Sequence, residues 1–410
     1  MAAAWTFLVY MAANNSLSGA AGIDLDELRA VGSSDAVKVI AFVKQRGSGA
    51  AQYLEVGRDG RDEVVEDVGT VDSGNPQTVV DFIRWGVNAA PADRYALILW
   101  NHGGGWTPDD LEELYSEVRA DTGVSRGEVN FLTKGRVGRA MFNTTIQKIL
   151  TLPTAEDRAI CNDDTSGHSL DTIEVANILT AATRETGRPL DLLGMDACLM
   201  STLEVAYELR DLTQVVVGSE ELEPAAGWAY HTLLTELAGN PGMDGRELGR
   251  AVVNTYIDSY RGAQGQGAVT QCAVQTSGID AFTDALASFT RAVVPALPDK
   301  WPQVQRAQAR ATKFMFDLVD LKSFCQHLAG MAVGASVQDG CQAVLDALQP
   351  GTYVLAEGHD GASVEDCGGI SLYLPSPMAE VSRYYGDLRF SKSLDWDDFL
   401  RSYQQAVRGA

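Results

Sequence analysis

The chain has 410 residues, 45% hydrophobic and 21% charged, an ordinary globular balance with ample length to bury a large core without disulfide or metal staples. Lys and Arg number 32 against 55 Asp and Glu, a formal net charge of −23; a field of that sign disfavours nucleic acid and anionic membranes and favours basic substrates or partners. No stretch approaches the ~18 apolar residues of a membrane helix. Met1-Ala-Ala-Ala runs straight into Trp5 without the basic n-region or apolar core of an export signal, so a cytoplasmic chain is expected. The six cysteines are scattered, with no CxxC and no paired spacing, which argues for reduced thiols and against a disulfide framework or a zinc site.

In chain order, the apolar run Trp5–Met11 predicts a first strand, followed by a helical pattern at 23–31 and a strand at Val37–Lys44. A helix at 76–89 precedes Tyr95–Trp100, a nearly continuous apolar run of the kind expected where both faces of a parallel sheet are covered. The alternation resumes with helix 169–186, strand Leu190–Met195, helix 200–211, strand Val215–Ser219 and helix 244–261. Strand Ala268–Val274, helix 278–294 and strand Gly369–Leu374 complete the pattern. Such a rhythm predicts an α/β fold with helices on both faces of a mainly parallel sheet.

The segment from Thr107 to Arg158 breaks the rhythm. It opens acidic (Asp109, Asp110, Glu112, Glu113) and then turns basic around Lys134, Arg136 and Arg139, which alternate with Gly135 and Gly138. A connection this long inside a compact domain is usually functional or mobile, and glycine-rich basic tips are where proteolytic nicking concentrates. A plain surface insertion is the alternative.

Two strand ends carry reactive side chains. Tyr95–Trp100 is followed at once by Asn101-His102-Gly103-Gly104-Gly105-Trp106, and Leu190–Met195 by Asp196-Ala197-Cys198-Leu199-Met200-Ser201. Ligands of open α/β sheets bind outside the carboxyl ends of the strands, so a His after one strand and a Cys after another can meet in space. A thiol needs a base nearby because the thiolate is the nucleophile, and an imidazole can later protonate a leaving amine. The backbone N–H of Gly103, with that of Cys198, is placed to hold an oxyanion. Taken singly, a strand-end Cys is more often a small buried hydrophobe, and a His before glycines more often a turn.

The motifs Trp5-Thr-Phe-Leu-Val-Tyr-Met-Ala-Ala-Asn-Asn-Ser-Leu17, Asn101-His-Gly-Gly-Gly-Trp106 and Met195-Asp-Ala-Cys-Leu-Met-Ser201 together resemble the clostripain family of cysteine peptidases. Asn162-Asp-Asp-Thr-Ser-Gly167, Val217-Gly-Ser-Glu-Glu-Leu-Glu-Pro224 and Gly369-Ile-Ser-Leu-Tyr-Leu-Pro375 extend the resemblance along nearly the whole chain. It implies a caspase-like fold, shared with caspases, legumain, gingipains and separase, with a catalytic core over 1–290 and a C-terminal subdomain over 291–410 that completes it. It implies His102 and Cys198 as a catalytic dyad and cleavage after Arg or Lys. Asp196 matches the family's acid for the S1 pocket, since a carboxylate pairs bidentately with guanidinium and more weakly with ammonium. Glu220, Glu221 and Glu223 are candidates to supplement that pocket, with a solvated acidic loop as the alternative. Precursor processing near Lys134, Arg136 or Arg139 is also implied, by self-cleavage or by an upstream protease. No cofactor is required; calcium stays open, with Asp163 and Asp164 as oxygen donors.

Two other readings compete. His102-Gly-Gly-Gly105 with Gly123-Val-Ser-Arg-Gly127 mimics a serine esterase, but the elbow around Ser125 needs a strand before it, and the polar Glu117–Thr122 stands there. A catalytically silent scaffold of the same fold is the other. An intracellular executioner in a regulatory or defence cascade is the biological role that the expected compartment and the processing segment suggest.

Overall fold

Ala3–Ala13 sends alternate side chains into two apolar layers, as a strand covered on both faces must. Trp5, Phe7, Val9 and Met11 face one layer, and Leu8, Tyr10 and Ala12 the other. The computed structural model describes residues 2–48, 50–106, 160–163, 165, 168–261, 267–382 and 385–409. Lys134, Arg136, Arg139, Ser125 and Asp164 lie outside the described residues.

In chain order the strands are β1 (Ala3–Ala13), β2 (Val37–Gln45), β3 (Ala51–Glu55), β4 (Glu63–Gly69), β5 (Ala92–Trp100), β6 (Ile160–Asp163) and β7 (His168–Leu170). They continue as β8 (Leu192–Asp196), β9 (Val215–Gly218), β10 (Val269–Gln275), β11 (Leu318–Asp320), β12 (Val354–Asp360) and β13 (Ser371–Tyr373). A nine-stranded sheet runs β12-β10-β9-β8-β5-β1-β2-β3-β4. Its five middle strands, β9 to β2 in that order, are parallel, and antiparallel pairs close both edges. The predicted α/β class with a mainly parallel sheet is what forms.

Helices Ser18–Val31, Tyr230–Gly239 and Gly245–Tyr260 cover the Trp5 face, and Pro76–Ala89, Thr172–Thr186 and Leu203–Leu209 cover the Tyr10 face. Four of these starts are capped from the sequence, that of Leu203–Leu209 by Thr202, whose side chain accepts from Val205 N. Asn75 accepts from Gln77 N ahead of Pro76, and Asp171 and Asp244 each form a capping box with the Glu three residues on. The Tyr10-side layer extends into helices Ile279–Val293, Leu297–Arg310, Leu321–Ala329, Ala335–Ala347 and Trp396–Arg408. The sequence expectation differs here in two respects. Gly369–Leu374 does contain a strand, β13, but it pairs with β11 in a separate two-stranded sheet. β12, not foreseen, lies in the central sheet instead.

The β8 position next to the site tolerates no side chain. A Cβ on Gly194 would stand 2.5 Å from the Trp228 ring and 2.7 Å from Ile98 Cδ1. Gly194→Ala is therefore expected to lose about 1–3 kcal/mol of stability through overpacking. Urea unfolding followed at equilibrium measures it; an unchanged midpoint would show that Trp228 has room to move.

Candidate active site

Adjacent parallel strands run about 4.8 Å apart, so register decides which residues leave the sheet side by side. β5 pairs with β8 such that Trp100 stands opposite Asp196, and Asn101 N donates to Asp196 O at 3.2 Å. Two residues beyond each partner come His102 and Cys198. Both line one cavity of ≈ 30 Å³, whose wall also includes Asn101, Asp196, Glu223 and Gly227. The structure thus brings together four of the residues singled out from the sequence, His102, Cys198, Asp196 and Glu223.

The end of β1 fixes the imidazole. Ser16 Oγ lies 2.9 Å from His102 Nε2, and the His102 backbone N–H donates to Asn101 Oδ1. Asn101 is itself held, donating to Ala12 O at 2.5 Å and accepting from Asn15 Nδ2 at 3.1 Å. Gly103 passes so close to the Cys198 segment that a Cβ would fall 2.3 Å from Cys198 O and 3.1 Å from Cys198 N. Leu199, immediately after Cys198, adopts a left-handed φ of 63°, a conformation that costs a leucine free energy and marks a strained turn.

Cys198 is buried, and its Sγ accepts the Glu223 backbone N–H at 3.2 Å. Burial pushes the thiol up to about 12, which that hydrogen bond offsets only in part. Burial thus favours the thiol over the thiolate at this sulfur.

Two buried carboxyl groups, Asp196 and Glu223, line the same cavity, and a third stands with Asp196 around Gly227. Asp196 accepts Tyr230 Oη at 2.7 Å and Trp228 N at 3.3 Å. Glu223 accepts Gln271 Nε2 at 3.0 Å on Oε1, while its Oε2 has no donor. Burial and then Asp196 raise the Glu223 carboxyl well above the usual range, and burial raises that of Asp196 as well. The third is Asp24, fully buried, which accepts Trp100 Nε1 at 2.6 Å on Oδ2 and has no partner at Oδ1. Burial, then Asp196, raise its carboxyl to about 9. A Cβ on Gly227 would sit 3.1 Å from Oδ2 of both Asp24 and Asp196, so the two carboxyls flank one point. Among the described residues, no Lys or Arg lines the cavity.

Other expected residues go elsewhere. Glu220 does not line the cavity; it is buried next to Asp320 and Cys367. The Glu221 carboxylate accepts its neighbour Leu222 N at 2.8 Å and is likewise absent from the wall. Asp163 pairs with Lys44 at 2.5 Å and accepts from Asn14, from Thr165 N and from both N and Oγ of Ser73. Those donors occupy the lone pairs that a calcium ion would use. Two residues escaped the sequence reading. Ser16 sits in a quoted motif but has no chemistry of its own to announce. Asp24 did leave a signal, an acid on the buried stripe Ala21, Asp24, Leu25, Leu28 of its helix.

The sequence model of the clostripain family matches residues 9–120 and 151–403. The chain belongs to the clostripain family. Clostripain from Hathewaya histolytica is 23% identical over 274 residues, which is 59% of this chain and 44% of the relative, so the chain spans under half that protein's length. A secreted C11 cysteine protease from Bacteroides thetaiotaomicron, solved with an irreversible peptide inhibitor, superposes with a TM-score of 0.67 at 17% identity, covering 96% of this chain and 99% of that one. An inactive zymogen C11 protease from Parabacteroides distasonis gives 0.66 at 18% identity with the same coverage. At these identities the solved structures establish a shared fold. No helix of the described residues is long and apolar enough to cross a membrane.

The buried acids of this clostripain-family chain make stability depend on pH with a definite sign. Asp24 titrates near 3.8 when exposed and near 9 in the fold, so between those values the native state keeps a proton that the unfolded chain has released. Stability conferred by that proton is present at low pH and is lost as pH rises through this window. Asp24→Asn is expected to flatten the decline. Melting temperatures of both proteins from pH 5 to 9 test it, and parallel curves would remove Asp24 from the account.

Proposed function

We propose that the chain is a cysteine endopeptidase that cleaves after Arg, and after Lys, with Cys198 as nucleophile and His102 as its proton-transfer partner. The observation that carries this reading is the single cavity shared by Cys198, His102 and Asp196. His102 takes the thiol proton as Cys198 attacks the scissile carbonyl and returns it to the departing amine. The N–H groups of Cys198 and Gly103 hold the oxyanion. Asp196 receives the substrate cation, and Asp24 and Glu223 deepen the negative pocket, since carboxyl groups that cannot all ionise together can do so around a guanidinium. The family's protein substrates and the net charge of −23 both suit basic peptides.

Two features favour a precursor. The cavity of ≈ 30 Å³ holds a water molecule or two but no guanidinium, and the Cys198 thiol is pushed up to about 12. Cleavage near Lys134, Arg136 or Arg139, between His102 and Cys198, is the proposed trigger that lets the loop carrying Glu223 and Gly227 open. The reaction needs no cofactor, and calcium acting at Asp163 would have to displace Lys44. An intracellular regulatory or defence role completes the proposal, supported by six cysteines that are all free and buried.

An Arg-directed acyloxymethylketone is expected to label the wild type and to leave Cys198→Ala unlabelled. Asp196→Asn is expected to lose about 10²-fold or more in kcat/KM on Arg substrates while remaining folded, the loss typical of a buried charge partner. A catalytically silent scaffold would show no labelling in any form, and full activity in Asp196→Asn would place the basic pocket elsewhere. Intact-mass analysis of the active enzyme is expected to find a cut within 134–139. A fully active single chain would exclude activation by processing.

A further inference from the structure

Glu220 has no place in the substrate cavity, yet the fold buries it completely. Neither of its carboxylate oxygens has a hydrogen-bond partner. Its neighbours are Asp320, the last residue of β11, and Cys367, both buried. One ligand atom from each of the three lies within 4.8 Å of the other two. Asp320 is held in place by Ser323 N at 2.6 Å on one oxygen and Gly368 N at 2.8 Å on the other, which leaves each oxygen a free lone pair. Burial and then Asp320 raise the Glu220 carboxyl well above the usual range. A proton shared with Asp320 would satisfy one Glu220 oxygen, and the Gly369 backbone N–H lies near enough to offset the rise in part.

We propose that Glu220, Asp320 and Cys367 form a zinc site that ties the loop after β9 to the C-terminal part of the chain. The donor set selects the ion: a thiolate is a poor ligand for calcium or magnesium, which take oxygen, whereas zinc accepts sulfur and carboxylate together. Tetrahedral zinc with bonds of about 2.0–2.3 Å holds its ligand atoms about 3.3–3.8 Å apart, so these side chains close on it by about 1 Å. Charge also balances. Two carboxylates and a thiolate leave one negative charge on a zinc complex, and Lys322 Nζ, which donates to Cys367 O at 2.8 Å, stands beside it. Zinc binding releases the thiol proton and supplies the partner that Glu220 lacks. The scattered cysteines argued against a zinc site because that argument counted Cys spacing; here one Cys joins two acids distant in sequence. This inference is independent of the proteolytic reading.

The test uses the full chain, untagged, with Cys198→Ala so that the thiol beside His102 takes up no metal. The protein is expressed in zinc-supplemented or cobalt-supplemented medium, desalted and analysed by elemental mass spectrometry and absorption. One zinc per chain is expected. The cobalt form should show a thiolate-to-metal band in the near ultraviolet, lost in Cys367→Ser and retained in the control Cys341→Ser. Glu220→Gln should weaken zinc retention against a chelator about tenfold or more. Should Cys367→Ser fail to fold, the parent's cobalt spectrum and stoichiometry decide alone. Metal-free parent protein, a cobalt spectrum without the thiolate band, or full zinc retention by both Cys367→Ser and Glu220→Gln would overturn the site and leave a carboxyl pair sharing a proton.

Discussion

Parallel pairing of β5 with β8 in one particular register, Trp100 against Asp196, sets where everything chemical in this protein stands. A slip by one residue would turn Asp196 to the other face of the sheet and part His102 from Cys198. The register is held by close contacts that leave little freedom. Gly194 admits the Trp228 ring beside Ile98, Gly103 lies against the Cys198 carbonyl, and Asn101 N bonds Asp196 O. The β1 end then acts through Asn15, Asn101 and Ser16 to orient the imidazole. Small residues and side-chain amides around a rigid sheet thus do the positioning, as expected for a site built on strand ends rather than on a free loop.

The same geometry forces an electrostatic cost. Asp24, Asp196 and Glu223 are withdrawn from water together, with donors from Trp100, Trp228, Tyr230 and Gln271 but no fixed cation among the described residues that line the cavity. Burying like charges this way is unfavourable, and that burial raises the carboxyls of Asp24 and Glu223 above their usual range. Structural needs alone do not account for such an arrangement, because apolar residues of similar size would serve packing better. The proposed basic substrate would bring in the cation that relieves it.

Much of the sheet was legible because its inner strands are continuous apolar runs with no other stable reading. β3, β4 and β12 were not, since strands at or next to the sheet's edges are short or polar; β12 ends Glu357-Gly-His-Asp360. Helix Leu297–Arg310 hides behind Pro298 and the interior Pro302, which ordinarily signal a break. At the site, His102 and Cys198 could be paired in advance because strand ends in this architecture converge. The acidic loop Glu220–Glu223 could not be sorted. Nothing in four consecutive positions says which acid turns toward the sulfur, and the answer depends on contacts with β10 and β11 far along the chain.

That loop links two buried acidic clusters, and the linkage follows from its backbone. Glu220 N and Glu221 N both donate to Thr270 Oγ1, at 2.9 and 3.0 Å, which clamps the turn to β10. Glu221 O accepts Leu199 N at 3.3 Å, and Glu223 N reaches Cys198 Sγ at 3.2 Å, so the loop also brackets Cys198. Three residues apart, Glu220 and Glu223 face opposite ways, one toward Asp320 and Cys367, the other toward Asp196. Whatever neutralises the first cluster stiffens the segment that carries the second. A loop held only by hydrogen bonds to β10 could widen to admit a guanidinium along its whole length; one braced at Glu220 hinges beyond it, at Pro224 to Gly227, where Gly227 already adopts a positive φ of 56°. The proposed brace and the proposed opening together confine movement to the part of the loop nearest Asp196 and Asp24.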